Sequence, residues 1–416
     1  MCFAYHYFTR YKALPRFLED NPDEAVSIIV TIPCLDDEFI FQTLDSLAQA
    51  STVNGKIEVI VHVNAGEQTP LTIVEKNRMI FEDLKQKAQA GFYKNYKLLP
   101  ILTESTIRKK AGVGFARKTV MDEAVRRFAS INKPKGLIVS LDADTLVSKS
   151  YFQEIIKAMD NPSAQCFTFQ FRHHFDPAVY PENVINACKL YELYLRYYRL
   201  ALKLFHFPFA IHTIGSCFAI RAEAYIKLGG MPPRQGGEDF YFLQKAVKMH
   251  PVHEVNVPIV FPSPRISNRV PFGTGPAVRI IIEKGKFEVY NPGLFELLKN
   301  FYELFPAMQH EDIMEKIPKE IMDYAGSDKI KGILAECRNY SSSSNTFVKR
   351  MIDHFDGFFV VKFLNSFHKS AHYPPVDIME AGKTLLQNYG ISEINDLYEQ
   401  ILVQDMKNEL AVHSDL

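Results

Sequence analysis

The chain has 416 residues, 47% of them hydrophobic, enough for one large α/β core or a core with a second domain. It carries 48 Lys and Arg against 48 Asp and Glu, so the overall charge does not mark a nucleic-acid binder. Six scattered cysteines without Cys-x-x-Cys spacing read as free thiols in a reducing, cytoplasmic setting, and no apolar run reaches the roughly 18–20 residues that span a bilayer.

The first residues, MCFAYHYFTRYKALPRF, lack a basic stretch followed by a long apolar one, so no export signal is expected and residues 1–24 read as an extension. AVSIIVTI (25–32) is a β-branched run of strand length that Pro33 is expected to stop, and DDEFIFQTLDSLAQA (36–50) then has helical spacing. KIEVIVHV (56–63) reads as a second strand. Thr69 and Pro70 supply an N-cap and a first-turn proline for a helix over 71–89. YKLLPIL (96–102) is a third strand, 112–128 a helix with Phe115, Val120, Ala124 and Phe128 inward, and GLIVSL (136–141) a fourth strand. Strands that are nearly continuous apolar runs, alternating with helices, predict a mostly parallel sheet covered on both faces. In such sheets ligands bind beyond the carboxyl ends of the strands.

Asp142 and Asp144 stand at such an end, two residues apart. On an extended strand both side chains face one side, where they can approach a hard cation such as Mg²⁺ or Mn²⁺ shared with substrate phosphates. Alternatively Asp144 or Thr145 caps a helix near 148–159. Further on, 165–175 reads as a strand, 181–205 as a long helix, 214–220 as a short strand and 221–228 as a helix. GGMPPRQGGEDF (229–240) is a loop that opens a helix over 236–249 on two acids. Glu238 and Asp239 there suit the helix dipole, or a general base, and Gly236 and Gly237 would let an acceptor approach the backbone. A last strand covers 252–261, and 262–276 is Pro-, Gly- and Ser-rich loop. Arg265 and Arg269 in it either close over a diphosphate or lie in a solvated connection. His250 or His253 either completes a metal shell or is structural. Residues 266–284 read as a loop or linker that could serve as a lid, and 285–416 as a helical region broken by SSSSN (341–345).

In the long helix, Asn183, Asn186, Lys189, Glu192, Arg196, Arg199, Lys203 and His206 fall three or four apart as one polar stripe. The stripe is expected to be the wet edge of a mostly buried helix, or else a face that meets membrane or a lipid-linked acceptor. Gly112-Val113-Gly114 resembles half of a dinucleotide fingerprint. That fingerprint belongs after the first strand, which here ends in IPCLDDE, so the dinucleotide reading is set aside. A sugar nucleotidyltransferase would need a glycine-rich loop at the same place and is set aside too.

Taken in order, Pro33-x-x-Asp36-x-Glu38, Gly112-x-Gly114-x-Ala116-Arg117, Asp142-x-Asp144 and the GG…GGED loop resemble family 2 nucleotide-sugar glycosyltransferases with a GT-A fold, over about residues 25–265. GGMPPRQGGEDF is similar to the acceptor segment of galactosyltransferases. The resemblance implies a Rossmann-like, mostly parallel sheet flanked by helices, with an α-helical C-terminal extension. It implies a nucleotide-diphosphate sugar as donor, Mn²⁺ or Mg²⁺ as cofactor, and a carbohydrate or lipid-linked hydroxyl as acceptor. By position, Pro33, Leu35, Glu38 and Asn64 would border the nucleotide, Arg117 the diphosphate and uridine, Asp142 the ribose or metal, and Asp144 the metal. Gly215 and Ser216 would shape the sugar pocket, Asp239 would be the base, and Glu238 would bind hydroxyls. Leu35-Asp36, Asn64 and Lys118 depart from the family's usual residues, and the chain has no Trp, so the Gln-x-x-Arg-Trp box of processive synthases is absent and single addition is expected. An inverting transferase is expected, with a retaining enzyme or a non-catalytic carbohydrate-binding relative as alternatives. The setting expected is cytoplasmic, with peripheral contact at the inner membrane face as an option.

Overall fold

A computed structural model describes residues 2–11, 15–51, 55–106, 112–267 and 273–407. Four β-branched and leucine-rich strands build one half of its main sheet: β1 (Val26–Cys34), β2 (Lys56–Gly66), β3 (Lys97–Thr106) and β4 (Leu137–Ser140). They run parallel in the order β3-β2-β1-β4. Ile28, Ile29, Val30, Val59, Val61, Ile138 and Val139 have no exposed surface, as strands covered on both faces require. The covering comes from α3 (Leu71–Gln89), on β2 and β3, and α4 (Val113–Ser130), on β1, β2 and β4, while α2 (Ile40–Gln49) lies against Thr145–Val147. In α4, Val120, Ala124 and Phe128 are fully buried, while Phe115 stays partly exposed.

The other half is mixed. β4 pairs antiparallel with β7 (Phe218–Arg221), which pairs antiparallel with β6 (Cys166–Phe171). β6 runs parallel to β8 (Val252–Pro262), and β8 pairs antiparallel with β5 (Thr145–Val147). The result is an eight-stranded, mostly parallel sheet flanked by helices, as expected. Strand order reverses between β1 and β4, and such a switch point is where an open α/β sheet forms its crevice.

Several local expectations are corrected. Pro33 does not stop β1, which runs on to Cys34. Thr31 faces β4, since its carbonyl accepts from Leu141 N, and so Pro33 faces the same side. The β4 ladder ends at Thr31–Ser140, so no partner there asks for the N–H that proline lacks. Thr69 does not cap α3. Pro70 holds the N-cap position, and Thr69 Oγ1 accepts from Gly66 N at 2.9 Å instead. β5 was not anticipated, because three residues carry no periodicity. The stretch taken as loop to 276 and linker to 284 contains a helix, α9 (Thr274–Lys284), after α5 (Tyr151–Met159), α6 (Glu182–Lys203), α7 (Ala222–Lys227) and α8 (Glu238–Met249). The region from 285 is not wholly helical, since Glu288–Val289 and Val376–Asp377 form a small antiparallel ladder.

The chain divides into two compact units, Met1–Ile185 with His212–Arg279, and Asn186–Ile211 with Ile280–Leu416. The second is helical around an aromatic core in which Phe301 meets Phe355 edge-on at 4.9 Å. Ser343 interrupts its helices because it caps one, accepting from Thr346 N at 3.2 Å. In this unit the polar stripe of α6 is corrected. Asn186 and Lys189 are exposed, but Glu192, Arg196 and Arg199 are completely buried. Arg196 pairs with Glu192 at 2.8 Å and with Asp405 at 2.7 Å, and Arg199 pairs with Asp405 at 2.5 Å. From Glu192 to Arg199 the stripe is an internal ion-pair network and not a wet edge or a membrane face, while Lys203 is half-buried and His206 exposed. Among the described residues no helix is long and apolar enough to cross a membrane.

Candidate active site

Arg117 is the centre of the site. It is buried on the first turns of α4, where a lone cation needs several acceptors. Nη1 donates to Ser140 Oγ at 2.6 Å and to the Gly215 carbonyl at 3.0 Å, Nη2 to Asp142 Oδ1 at 2.7 Å, and Nε to Glu238 Oε1 at 3.2 Å. Segments from four parts of the chain thus meet at the carboxyl end of β4. Gly215 is required there for space: a Cβ would lie 2.6 Å from Arg117 Nη2 and 3.4 Å from Asp239 Oδ2. Ser216 is buried beside it.

Three carboxylates, Asp142, Glu238 and Asp239, therefore crowd one guanidinium. Burial, and next the Glu238 carboxylate, push the Asp239 carboxyl up to about 7, against the pull of Arg117. Asp239 Oδ1 also accepts from Phe240 N at 2.8 Å, so it serves the first turn of α8 as well. The N-cap of α8 is Gly237, held at φ 67° with open space around its α-carbon. Neither Asp144 nor Thr145 caps α5, whose N-cap is Ser150, so the capping alternative for the Asp-x-Asp pair is corrected.

The acceptor-like loop is held by the glycines of α4. Gly114 N donates to Arg234 O at 3.0 Å, and a Cβ on Gly114 would stand 2.5 Å from that oxygen and 2.8 Å from Pro232 O. The Gly-x-Gly pair thus serves close backbone packing rather than phosphate. On its other side the loop is tied through Tyr225, whose hydroxyl accepts from Met231 N (3.0 Å) and donates to Asp122 Oδ1 (2.8 Å). Tyr7, on the N-terminal helix α1 (Tyr5–Arg10), donates to the same oxygen at 2.7 Å and accepts from Lys118 Nζ at 2.7 Å. Lys118 is thus tied to the N-terminal helix through Tyr7. Gly114→Ala is expected to force the 232–235 backbone away and to cost on the order of 1–3 kcal/mol. A urea melt checks this, and an unchanged midpoint would show that the loop yields freely.

A second cluster adjoins Asp144. Arg265 Nε donates to Asp144 Oδ2 at 2.9 Å, Nη2 bonds buried Asp37, and the guanidinium lies 4.8 Å over the Phe39 ring. Asp37 lies within the Pro33–Glu38 segment, and its carboxylate faces Arg265. Pro33 and Leu35 are half-buried at the end of β1, while Glu38 is exposed and pairs with Lys76 at 3.4 Å, apart from Arg117. Asn64 is buried at the end of β2, and its carbonyl accepts from Asn77 Nδ2 at 3.0 Å. Asn77 Oδ1 also accepts from Asp36 N at 2.8 Å, joining the two loops. Gly236 is half-buried. Arg269 lies outside the described residues.

Asp142 and Asp144 keep 35% and 23% of their side-chain surface exposed. Their hard oxygens fit Mg²⁺ or Mn²⁺, which are commonly held by one or two carboxylates together with phosphates. Among the described residues no group of three or more His, Cys, Asp or Glu stands ready to cage a metal. His250 and His253 do not join the pair. They lie at the start of β8, while Thr145 pairs with Pro262 at its end, on the order of 30 Å along the strand at about 3.3 Å per residue.

No family model and no curated protein matches the chain. Among solved structures it is similar to S. aureus TarS 1–349, with 14% identity and a TM-score of 0.37 over 79% of this chain and 91% of that one. The same TarS segment in complex with UDP-GlcNAc gives 14% identity and a TM-score of 0.38 over the same shares. The mannosyltransferase PcManGT from Pyrobaculum calidifontis, in complex with GDP-Man and Mn²⁺, gives 15% identity and a TM-score of 0.36 over 98% of this chain and 95% of that one.

Proposed function

We propose that the chain is a GT-A glycosyltransferase of the family 2 kind. It would move a hexose from a nucleotide-diphosphate donor to a hydroxyl of a carbohydrate or lipid-linked acceptor, with inversion by direct displacement. The observation that carries this reading is the convergence of Asp142, Glu238 and Asp239 on Arg117 at the carboxyl end of β4. A buried guanidinium, a partly exposed carboxylate and a raised-pKa carboxyl within one cluster support this reading.

In this reading each residue has a separate task. The loops after β1 and β2, with Pro33, Leu35 and Asn64, border the nucleotide. Arg117 orients Asp142 and Glu238 and faces the diphosphate. Asp142 and Asp144 hold the divalent ion, which when bound adds positive charge beside the departing diphosphate. Glu238 fixes a hydroxyl, and Asp239 accepts the acceptor's proton as its oxygen attacks the anomeric carbon. The open space over Gly237 gives the acceptor room to lie against the backbone.

The test is release of nucleoside diphosphate from a panel of UDP-, GDP- and dTDP-sugars with Mn²⁺ and candidate acceptors. Donor binding without release across the panel would favour a binding protein, and the product anomer read by NMR separates inversion from retention. Loss of an outer-shell partner of a metal site already costs 10–100-fold in affinity, so Asp144→Asn is expected to weaken Mn²⁺ and donor together by about tenfold or more. Titration calorimetry reads both, and unaltered affinities would remove Asp144 from the metal site.

A further inference from the structure

Arg265 and Asp37 have no part in the steps above, yet they sit against Asp144. The ladder between β5 and β8 pairs Thr145 with Pro262, which sets the residues after β8 beside Asp144. Arg265 reaches Asp144 Oδ2 with Nε at 2.9 Å and with Nη2 at 2.8 Å, and Nη2 also bonds Asp37. The two acids differ in setting. Asp37 has 3% of its side-chain surface exposed and Asp144 has 23%. A buried carboxylate stripped of its cation is costly, whereas a partly hydrated one is less so. Asp37 is thus the anchor of Arg265, and Asp144 the partner that it can release.

We propose that Arg265 is a built-in competitor of the divalent cation at Asp144. Resting on the metal reading above, it neutralises Asp144 while no donor is present. An incoming diphosphate offers the guanidinium a better acceptor, with bidentate phosphate geometry. Arg265 turns to it while Asp37 keeps its base in place, and the ion takes over the contact that Arg265 gives up at Asp144. Cation and diphosphate then bind with positive coupling, each raising the other's affinity by the same factor.

The experiment titrates Mn²⁺ alone, and then Mn²⁺ with UDP, into the full-length protein, with free Mn²⁺ read by electron paramagnetic resonance. Arg265→Gln is expected to bind Mn²⁺ alone about fivefold or more tightly than the native protein, and to show less synergy with UDP. Asp37→Asn/Arg265→Gln, which leaves no buried charge behind, is expected to show the same rise, and Arg265→Lys a smaller one. Asp144→Asn/Arg265→Gln is expected to lose the gain. Mn²⁺ bound through Asp144 with equal or lower affinity in both Gln variants overturns the competitor while sparing the metal reading. No Mn²⁺ bound by any of these proteins, with or without UDP, overturns both.

Discussion

Asp239→Asn is expected to keep donor binding within about threefold and to cut transfer by about 100- to 10,000-fold, the contribution typical of a positioned general base. The substitution preserves shape and the hydrogen bond to Phe240 N but removes the proton acceptor. Native activity carries its own signature. Burial and Glu238 hold the Asp239 carboxyl at about 7. As the proposed base, Asp239 would work only when deprotonated, so kcat/KM is expected to fall as pH drops through about 7 and to level off above it. Transfer that survives in the Asn variant, or a profile flat from about pH 5.5 to 8, would strip Asp239 of its role.

The second large effect concerns stability. Asp405→Ala is expected to cost on the order of 3–5 kcal/mol, since it leaves a surplus positive charge among Arg196, Arg199 and Glu192, all without measurable exposure beyond 1%. That is a large share of the roughly 5–15 kcal/mol that holds a domain folded. Arg199→Met with Asp405→Leu removes one charge of each sign and leaves Arg196 with Glu192, so most of the loss is expected to return. Urea unfolding of the native, single and double variants reads this. A single variant within about 0.5 kcal/mol of native would mean that water reaches the cluster.

The parts of the fold that rest on near-neighbour pattern were legible. β1, β2 and β4 are rich in buried Val, Ile and Leu, so their runs needed no context, although buried Glu58 and His62 on β2 found their partners only in the fold. Arg117 was singled out only by the resemblance that Gly112-x-Gly114-x-Ala116-Arg117 carries, and the glycines turned out to make room for the 232–235 backbone. What depended on distant partners was hidden. The α6 stripe looked like a wet edge because the counter-charge at Asp405 lies about two hundred residues away. Asp37 could not be separated from its acidic neighbours until Arg265, from beyond β8, was seen upon it. Tyr7 gave no signal, since an aromatic in a short amphipathic helix points to nothing until Asp122 and Tyr225 stand opposite.

The three-residue strand β5 has a kinetic corollary. By stitching Thr145 to Pro262 it fixes the main chain on both sides of the Asp144–Arg265 contact. Parting them therefore calls for torsional turns within side chains rather than a swing of backbone. Turns of exposed side chains take picoseconds to nanoseconds, and Arg265, with 20% of its side chain exposed, must first break its contact with Asp144. Exchange of one positive charge for another at Asp144 is in this view a side-chain event that leaves the ladder around β5 as it stands.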